Sequence, residues 1–210
     1  MYLAVDEWNV WYRTHPRYGI STAESKLEEM YNLEDALVTA MQLNAFLRHA
    51  ETVRMANLAQ IVNVIAPVFT RPDGLFLQTI FFPFELYSRT CGTHVIDTWY
   101  DGDTFSGGGF SGVPVLDVTA TIDRSKSQLV IYCVNRSRDR FIETDIRLTN
   151  GSFQDKALVT VINGPDIESE NSFEKPDDVT PCEYKVETNG TSMTFSFEPH
   201  SVTALVVTVR

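Results

Sequence analysis

Two hydrophobic rhythms divide the chain. Up to about residue 90 the apolar positions come in short runs and helical stripes. After Gly92 they alternate with period two. Leu3-Ala4-Val5 is a short apolar run of the kind that forms a buried strand in a parallel sheet. It leads into a polar and aromatic stretch, and then into a loop from Arg13 to about Tyr31 containing Pro16 and Gly19. The stretch YNLEDALVTAMQLNAFLRHAETVRM predicts a helix. Asn32 is a good N-cap, with Asp35 three positions on at the positive end of the helix dipole. Leu33, Leu37, Met41, Asn44 and Leu47 recur at helical spacing, and Ala36, Ala40 and Leu43 widen the apolar face. NLAQIVNVIAPV follows with β-branched Ile61-Val62 and Val64-Ile65, and reads as a second buried strand interrupted by Gln60 and Asn63. TRPDGLF reads as a turn and LQTIFFPFELYSRT as a helix despite Pro83. The order strand, helix, strand, helix implies parallel strands joined by crossover helices. Two strands cannot close a parallel sheet, so this half of the protein is expected to be the end of something larger.

Beyond Gly92, eight short alternating runs are separated by turn residues: HVIDTWYDG, VPVLDVTATID, QLVIYCVNRS, FIETDIRLTNG, KALVTVING, CEYKVETNG, SMTFSFEPH and SVTALVVTVR. Asn-Gly pairs at 150–151, 163–164 and 189–190 mark tight turns. This spacing predicts an antiparallel β-sandwich, of which the jelly roll is one form. The Gly-rich DTFSGGGFSG lacks the spacing and following helix of a phosphate loop, and is expected to be a flexible connection. The expected organisation is therefore an α/β part at 1–91 and an all-β part at 92–210.

Charge sharpens this division. Residues 1–92 hold 10 acids and 7 Lys/Arg, whereas 93–210 hold 18 and 10. The net charge of −11 leaves no basic face for a nucleic acid and fits a neutral partner. Cys91, Cys133 and Cys182 form neither a metal-ligand spacing nor a disulfide framework, and the four histidines share no metal spacing. No metal or other cofactor is expected. No run is long enough to span a membrane, and Asp6, Glu7 and Asn9 stand where a signal peptide would be apolar. These features favour the cytoplasm over secretion. Of the sequons at Asn135, Asn150 and Asn189, two are Asn-Gly turns that turn chemistry already explains.

The chemistry concentrates in LAVDEWNVWY. Glu7 ends the first parallel strand, and the C-terminal ends of such strands carry active sites in (β/α)8 barrels. Alternation places Leu3, Val5 and Glu7 on one face and Asp6 on the other. An acid there is either structurally paired or catalytic. Trp8 and Trp11 follow it. An indole face stacks on the C–H face of a sugar or fills a core, and Trp11, beyond the strand, has the better claim to the rim. Gln60 and Asn63, three apart, would point to opposite faces of a regular strand. His15, in the loop after the Glu7 strand, could reach the site.

DEWNVWY at 6–12, YNLEDALVTAMQLNAFLRHA at 31–50, VRMANLAQIVNVIAPVFT at 53–70 and GLFLQTIFFPFELYS at 74–88 closely resemble the C-terminal part of glycoside hydrolase family 51, the α-L-arabinofuranosidases. NGPDIESENSFEKPDDVTP at 163–181 and FEPHSVTAL at 197–205 are similar to that family's C-terminal sandwich. The resemblance implies the C-terminal portion of a (β/α)8 barrel, strands seven and eight with their helices, followed by a jelly roll. It implies a retaining glycosidase acting on terminal arabinofuranosyl groups of hemicellulose or pectin fragments, and a homo-oligomer. Glu7 becomes the nucleophile, Trp11 packs on arabinose, Gln60 contacts a sugar hydroxyl, and Trp8 and Asn9 play support roles. The family's acid/base is a Glu following Gly-Asn, and no Gly-Asn-Glu occurs in this sequence. The isolated protein is therefore expected to be inactive. The rival reading is a non-catalytic sandwich that binds carbohydrate or docks onto a partner, with Trp99, Tyr100 and Phe105 as candidate contacts.

Overall fold

A computed structural model describes residues 1–12 and 28–210. The protein forms two units, Met1–Glu85 with Gly164–Thr180, and Leu86–Asn163 with Pro181–Arg210. His15 and most of the expected loop at 13–31 lie outside the described residues.

In the first unit, strand β1 (Leu3–Trp8) runs parallel to β2 (Val53–Leu58), and helix α1 (Leu33–Arg48) makes the crossover. The helix starts where the sequence places it. The Asn32 side chain accepts from the Asp35 N–H while the Asp35 carboxylate accepts from the Asn32 N–H, a capping box. Leu33, Ala36, Leu37, Ala40 and Asn44 are buried along one stripe. The helix ends at Arg48, so Glu51–Met55, expected as its continuation, instead forms a turn and the start of β2.

The second strand is the main departure. It lies at Val53–Leu58, upstream of the β-branched run. Ile61–Ile65 is irregular, with Asn63 and Ile65 at positive φ, a conformation costly for residues with a Cβ. Asn63 is fixed there by its own hydrogen bonds. Its Oδ1 accepts the Thr70 N–H at 2.7 Å and its own N–H donates to the Val68 carbonyl at 2.9 Å, bracing the hairpin of β3 (Val68–Arg71) and β4 (Gly74–Leu77). TRPDGLF is thus a hairpin rather than a bare turn. Periodicity could not separate a β-branched strand from a β-branched loop fastened by its own backbone. Leu3 and Ala4, read as buried, are exposed, because β1 pairs among the described residues with β2 alone.

Helix α2 (Phe81–Thr90) tolerates Pro83 because the proline falls in the first turn, where N–H groups have no intrahelical partner. The α2 residues up to Glu85 belong to the first unit, together with a seventeen-residue segment, Gly164–Thr180, expected to lie in the sandwich. That segment completes the N-terminus of α1. Leu33 N–H donates to the Ser169 carbonyl at 2.8 Å, and Glu34 N–H to the Ile167 carbonyl at 2.9 Å. Asn171, fully buried, donates to the carbonyls of Leu77 and Val179 and accepts from the Val179 N–H. The orphan donors of the helix start are thereby paired with backbone distant in sequence.

The second unit is a β-sandwich. All eight alternating runs are strands. With β5 (His94–Ile96), β8 (Leu116–Asp123), β9 (Gln128–Asn135), β11 (Phe153–Asn163), β12 (Thr180–Glu187) and β14 (Ser201–Val209), the larger sheet has the order β12-β11-β14-β9-β8-β5. A second sheet pairs β10 (Ile142–Arg147) antiparallel with β13 (Ser192–Phe197). Met193, Phe195 and Phe197 of β13, with Ile142 and Ile146, pack against Leu116, Leu129, Ile131, Val159, Val161, Leu205 and Val207 of the larger sheet. The alternation that predicted the strands is this inward-facing set. Central strands β9 and β14 are buried on both faces, and α2 residue Tyr87 covers the outer face by stacking on Tyr132, ring centroids 4.0 Å apart.

DTFSGGGFSG is not a loose connection. It forms an antiparallel hairpin, β6 (Thr104–Gly107) with β7 (Phe110–Pro114). Gly108 and Gly109 both have positive φ between the paired residues Gly107 and Phe110, the two-residue turn that glycines permit and strand twist favours. Of the three Asn-Gly pairs, two sit in turns with a positive-φ glycine, at 151 and 190; the third, Asn163–Gly164, ends β11 where the backbone leaves the sandwich. Cys133 is buried, and Cys91 and Cys182 are exposed free thiols.

Candidate active site

The candidate residues converge on the C-terminal ends of β1 and β2. Glu7 is exposed, one residue before the end of β1, and Trp8 after it is buried. The ladder to β2 is irregular between Val5 and Trp8, so alternation does not cleanly separate Asp6 from Glu7, and both side chains are exposed. Trp8 turns inward onto Phe46, edge to face at 5.2 Å, with Phe84 at 6.4 Å. Trp11 is 44% exposed beyond the strand.

Gln60 follows β2 rather than interrupting it, and its loop is fastened to the end of β1. The Ala59 N–H donates to the Trp8 carbonyl at 3.1 Å. The Asn9 carboxamide donates to the carbonyls of Ala59 at 2.8 Å and Ile65 at 2.6 Å, one on each side of Gln60, while its oxygen accepts the Val10 N–H. Asn9 therefore holds the Gln60 loop beside the strand end that carries Glu7. Gln60 itself stays exposed and available. Asn63 is engaged with the β3–β4 hairpin and is not brought to this place.

Beneath the exposed residues lies a buried polar layer that alternation did not reveal. Tyr12 donates its N–H to the Glu29 carboxylate at 2.8 Å and its hydroxyl to Asp35. Tyr31 donates its hydroxyl to the Val10 carbonyl at 2.6 Å. Gln78, fully buried, accepts the Tyr31 N–H at 2.8 Å and donates to the carbonyls of Glu29 at 3.0 Å and Ala66 at 2.7 Å. Two carboxamides, Asn9 and Gln78, thus tie together the loops that follow β1 and β2. The acids of this layer are perturbed by burial. Desolvation pushes Asp35 up to about 6, against the opposing hydrogen bonds from Tyr12 and the Asn32 N–H. Desolvation also raises Glu29, and raises Tyr31 with help from the neighbouring carboxylates. Polar residues flanking apolar runs at 29, 31 and 78 carried a faint signal of this layer, since buried polar groups require partners.

Among the described residues no three His, Cys, Asp or Glu side chains form a group able to hold a metal ion. His49 closes the C-terminus of α1, and His200 bonds the Arg138 carbonyl through Nδ1 at 2.7 Å. Trp99 is exposed, as are Phe105 and Phe110 of the hairpin, while Tyr100 packs against the sandwich core.

Comparison with known proteins gives the class first. The fold superposes on glycoside hydrolases: 98% of this protein aligns with 43% of the Thermotoga maritima α-L-arabinofuranosidase solved with arabinose, at a TM-score of 0.84 and 29% identity. The family 51 enzyme of Thermotoga petrophila aligns as well, over 98% of this protein and 43% of its own, at 0.84 and 30% identity. The family model of the α-L-arabinofuranosidase C-terminal domain matches residues 6–201. The protein belongs to the α-L-arabinofuranosidases of glycoside hydrolase family 51, as their C-terminal domain. Among relatives, the intracellular exo-α-(1→5)-L-arabinofuranosidase of Streptomyces lividans is 34% identical over 85% of this sequence and 28% of its own length. Intracellular exo-α-(1→5)-L-arabinofuranosidase 1 of Bacillus subtilis is 31% identical over 95% of this sequence and 41% of its own. The 210 residues therefore span less than half the length of these relatives.

Proposed function

We propose that this protein supplies the nucleophile side of a retaining α-L-arabinofuranosidase site, with residues 1–91 as strands seven and eight of a (β/α)8 barrel and 92–210, apart from the segment Gly164–Thr180, as its attached sandwich. The observation that carries the reading is the pairing of two strand ends. Glu7 stands exposed at the C-terminal end of a parallel strand, and Asn9 clamps the loop of Gln60 beside it. Glu7 attacks the anomeric carbon of a terminal arabinofuranosyl group and forms a glycosyl-enzyme. Trp11 presents an indole face to the sugar ring and Gln60 an amide to a hydroxyl. A retaining site needs a second carboxylic acid about 5–5.5 Å from the first to protonate the leaving oxygen and later activate water. The sequence contains no Gly-Asn-Glu to provide it, so these residues alone are inactive. The substrate is a neutral arabinose-containing oligosaccharide or polysaccharide, in keeping with the acidic surface. The relatives named intracellular support a cytoplasmic enzyme, and the family resemblance supports a homo-oligomer.

The test uses an aryl α-L-arabinofuranoside, with the 210 residues by themselves and with the same residues fused in frame to the N-terminal portion of a family 51 relative. The expected outcome is no turnover by the unfused protein, turnover by the fusion, and loss of that turnover in Glu7→Gln with near-unchanged circular dichroism. Turnover by the unfused protein would overturn its inactivity. A fully active Glu7→Gln fusion would overturn the nucleophile. The exposed Trp99, Phe105 and Phe110 favour a second reading, a sugar-contacting sandwich, which calorimetric titration with arabinan would detect.

A further inference from the structure

The three Asn-Gly pairs share one chemistry and sit in three environments. We propose that Asn150 is a site of spontaneous deamidation, and that the fold grades its reactivity far above that of Asn163. The reaction needs a backbone amide nitrogen free to approach the preceding residue's carboxamide, and glycine offers the least hindrance because it carries no Cβ. The Gly151 nitrogen attacks Cγ of Asn150. The new N–Cγ bond closes a five-membered succinimide, the Cγ–Nδ2 bond breaks, and ammonia leaves with the proton from the Gly151 amide. Water then opens the ring at either carbonyl, giving aspartate or isoaspartate. One water is consumed, one ammonia is released, and nothing is oxidised or reduced.

The environment of Asn150 suits this. The residue is exposed, lies in a bend between β10 and β11, and its carboxamide makes no hydrogen bond among the described residues. Gly151 follows at φ +86°. Asn189 is exposed as well, and Gly190 beside it is held in a bridge to Phe153, whose N–H donates to the Gly190 carbonyl at 2.8 Å. Asn163 is the internal control. Its leaving amide nitrogen donates to the Glu198 carboxylate at 2.7 Å, a hydrogen bond that Asn150 lacks.

The modification has a structural consequence. Ser152, two residues on, exchanges two backbone hydrogen bonds with Arg210, at 2.9 and 3.0 Å, closing the end of β14. Isoaspartate at 150 inserts one methylene into the backbone just ahead of this pair and adds a negative charge, so ageing loosens this end of the sandwich.

The test is incubation of the full 210-residue protein at mildly alkaline pH, with peptide mapping by mass spectrometry, natively and in denaturant. In the native protein Asn150 converts readily, and Asn163 slower than it by about tenfold or more, the factor one retained charge-assisted hydrogen bond supplies. In denaturant the three rates converge. Asn150→Ser removes the fast native phase and leaves the conversion of the other two unchanged. Ser152 and Arg210 amides exchange faster in the isoaspartate form. Equal native rates at 150 and 163, a native order that persists unchanged in denaturant, or an unreactive native Asn150 would overturn the proposal.

Discussion

Replacing Gln78 by methionine tests the buried layer beneath the candidate site. The side chain is fully buried and its volume is nearly conserved, so the change removes hydrogen bonds more than packing. Three backbone groups lose their partner: the Tyr31 N–H, the Glu29 carbonyl and the Ala66 carbonyl, at 2.8, 3.0 and 2.7 Å. Each belongs to a residue that is itself buried. An unsatisfied buried group costs about 1–3 kcal/mol, so three cost about 3–6 kcal/mol after partial relaxation. That is a large share of the roughly 5–15 kcal/mol that stabilises a typical domain. The assay is urea unfolding followed by tryptophan emission. Trp8 is 8% exposed and will redshift as the first unit opens, whereas Trp99 in the sandwich is 92% exposed and will change little. The first-unit transition should move to markedly lower urea while the sandwich transition, read by far-ultraviolet circular dichroism, stays in place. A loss below about 1 kcal/mol would refute the reasoning, because it would mean that the loops after β1 and β2 hold together without Gln78.

Asp35 makes the stability of the first unit depend on pH. Its folded value of about 6 lies above its ordinary 3.8, so the folded state holds the proton more tightly and this contribution, at most about 3 kcal/mol, is present at low pH and lost as pH rises through 6. Glu29, raised by burial, adds in the same direction. Urea midpoints should fall between pH 4.5 and about 7, and Asp35→Asn should flatten that slope; a wild-type slope retained in the variant would count against Asp35. Gly92→Ala places a Cβ 2.6–2.8 Å from the Ile122 backbone, so thermal unfolding should show a loss of about 1–3 kcal/mol; an unchanged midpoint would show that β5 can shift away. Asn135→Ala removes three donated bonds, to the carbonyls of Arg140, Phe197 and Glu198, and one accepted from the Ser137 N–H, costing about 2–4 kcal/mol by the same denaturation assay. Because that amide is fully buried, mass spectrometry of protein made in a glycosylating host should find Asn135 unmodified.

The sequence by itself determined the elements whose signals are local. The capping box at Asn32 and Asp35 needed only residues three apart, and the sandwich strands needed only alternation against a common core. The Asn-Gly turns at 150–151 and 189–190 followed from the tolerance of glycine for positive φ. The motif around Glu7 was legible as well, because a carboxylate after an apolar run and ahead of two indoles is contiguous in sequence. What depended on pairing was decided by the tertiary structure. The Gly-rich stretch became a hairpin only because β6 and β7 found each other across Gly108 and Gly109. β2 lies at 53–58 rather than in the β-branched run because register with β1 and the Asn63 turn, not propensity, selects it. The segment 164–180 joins the first unit because α1 has free N–H groups that the carbonyls of Ile167 and Ser169 satisfy. Gln60 stands at the end of a strand because Asn9, about fifty residues earlier in the sequence, holds the carbonyls on either side of it. Local sequence specifies where the backbone turns, whereas the partner of a buried polar group is fixed only when the protein has folded around it.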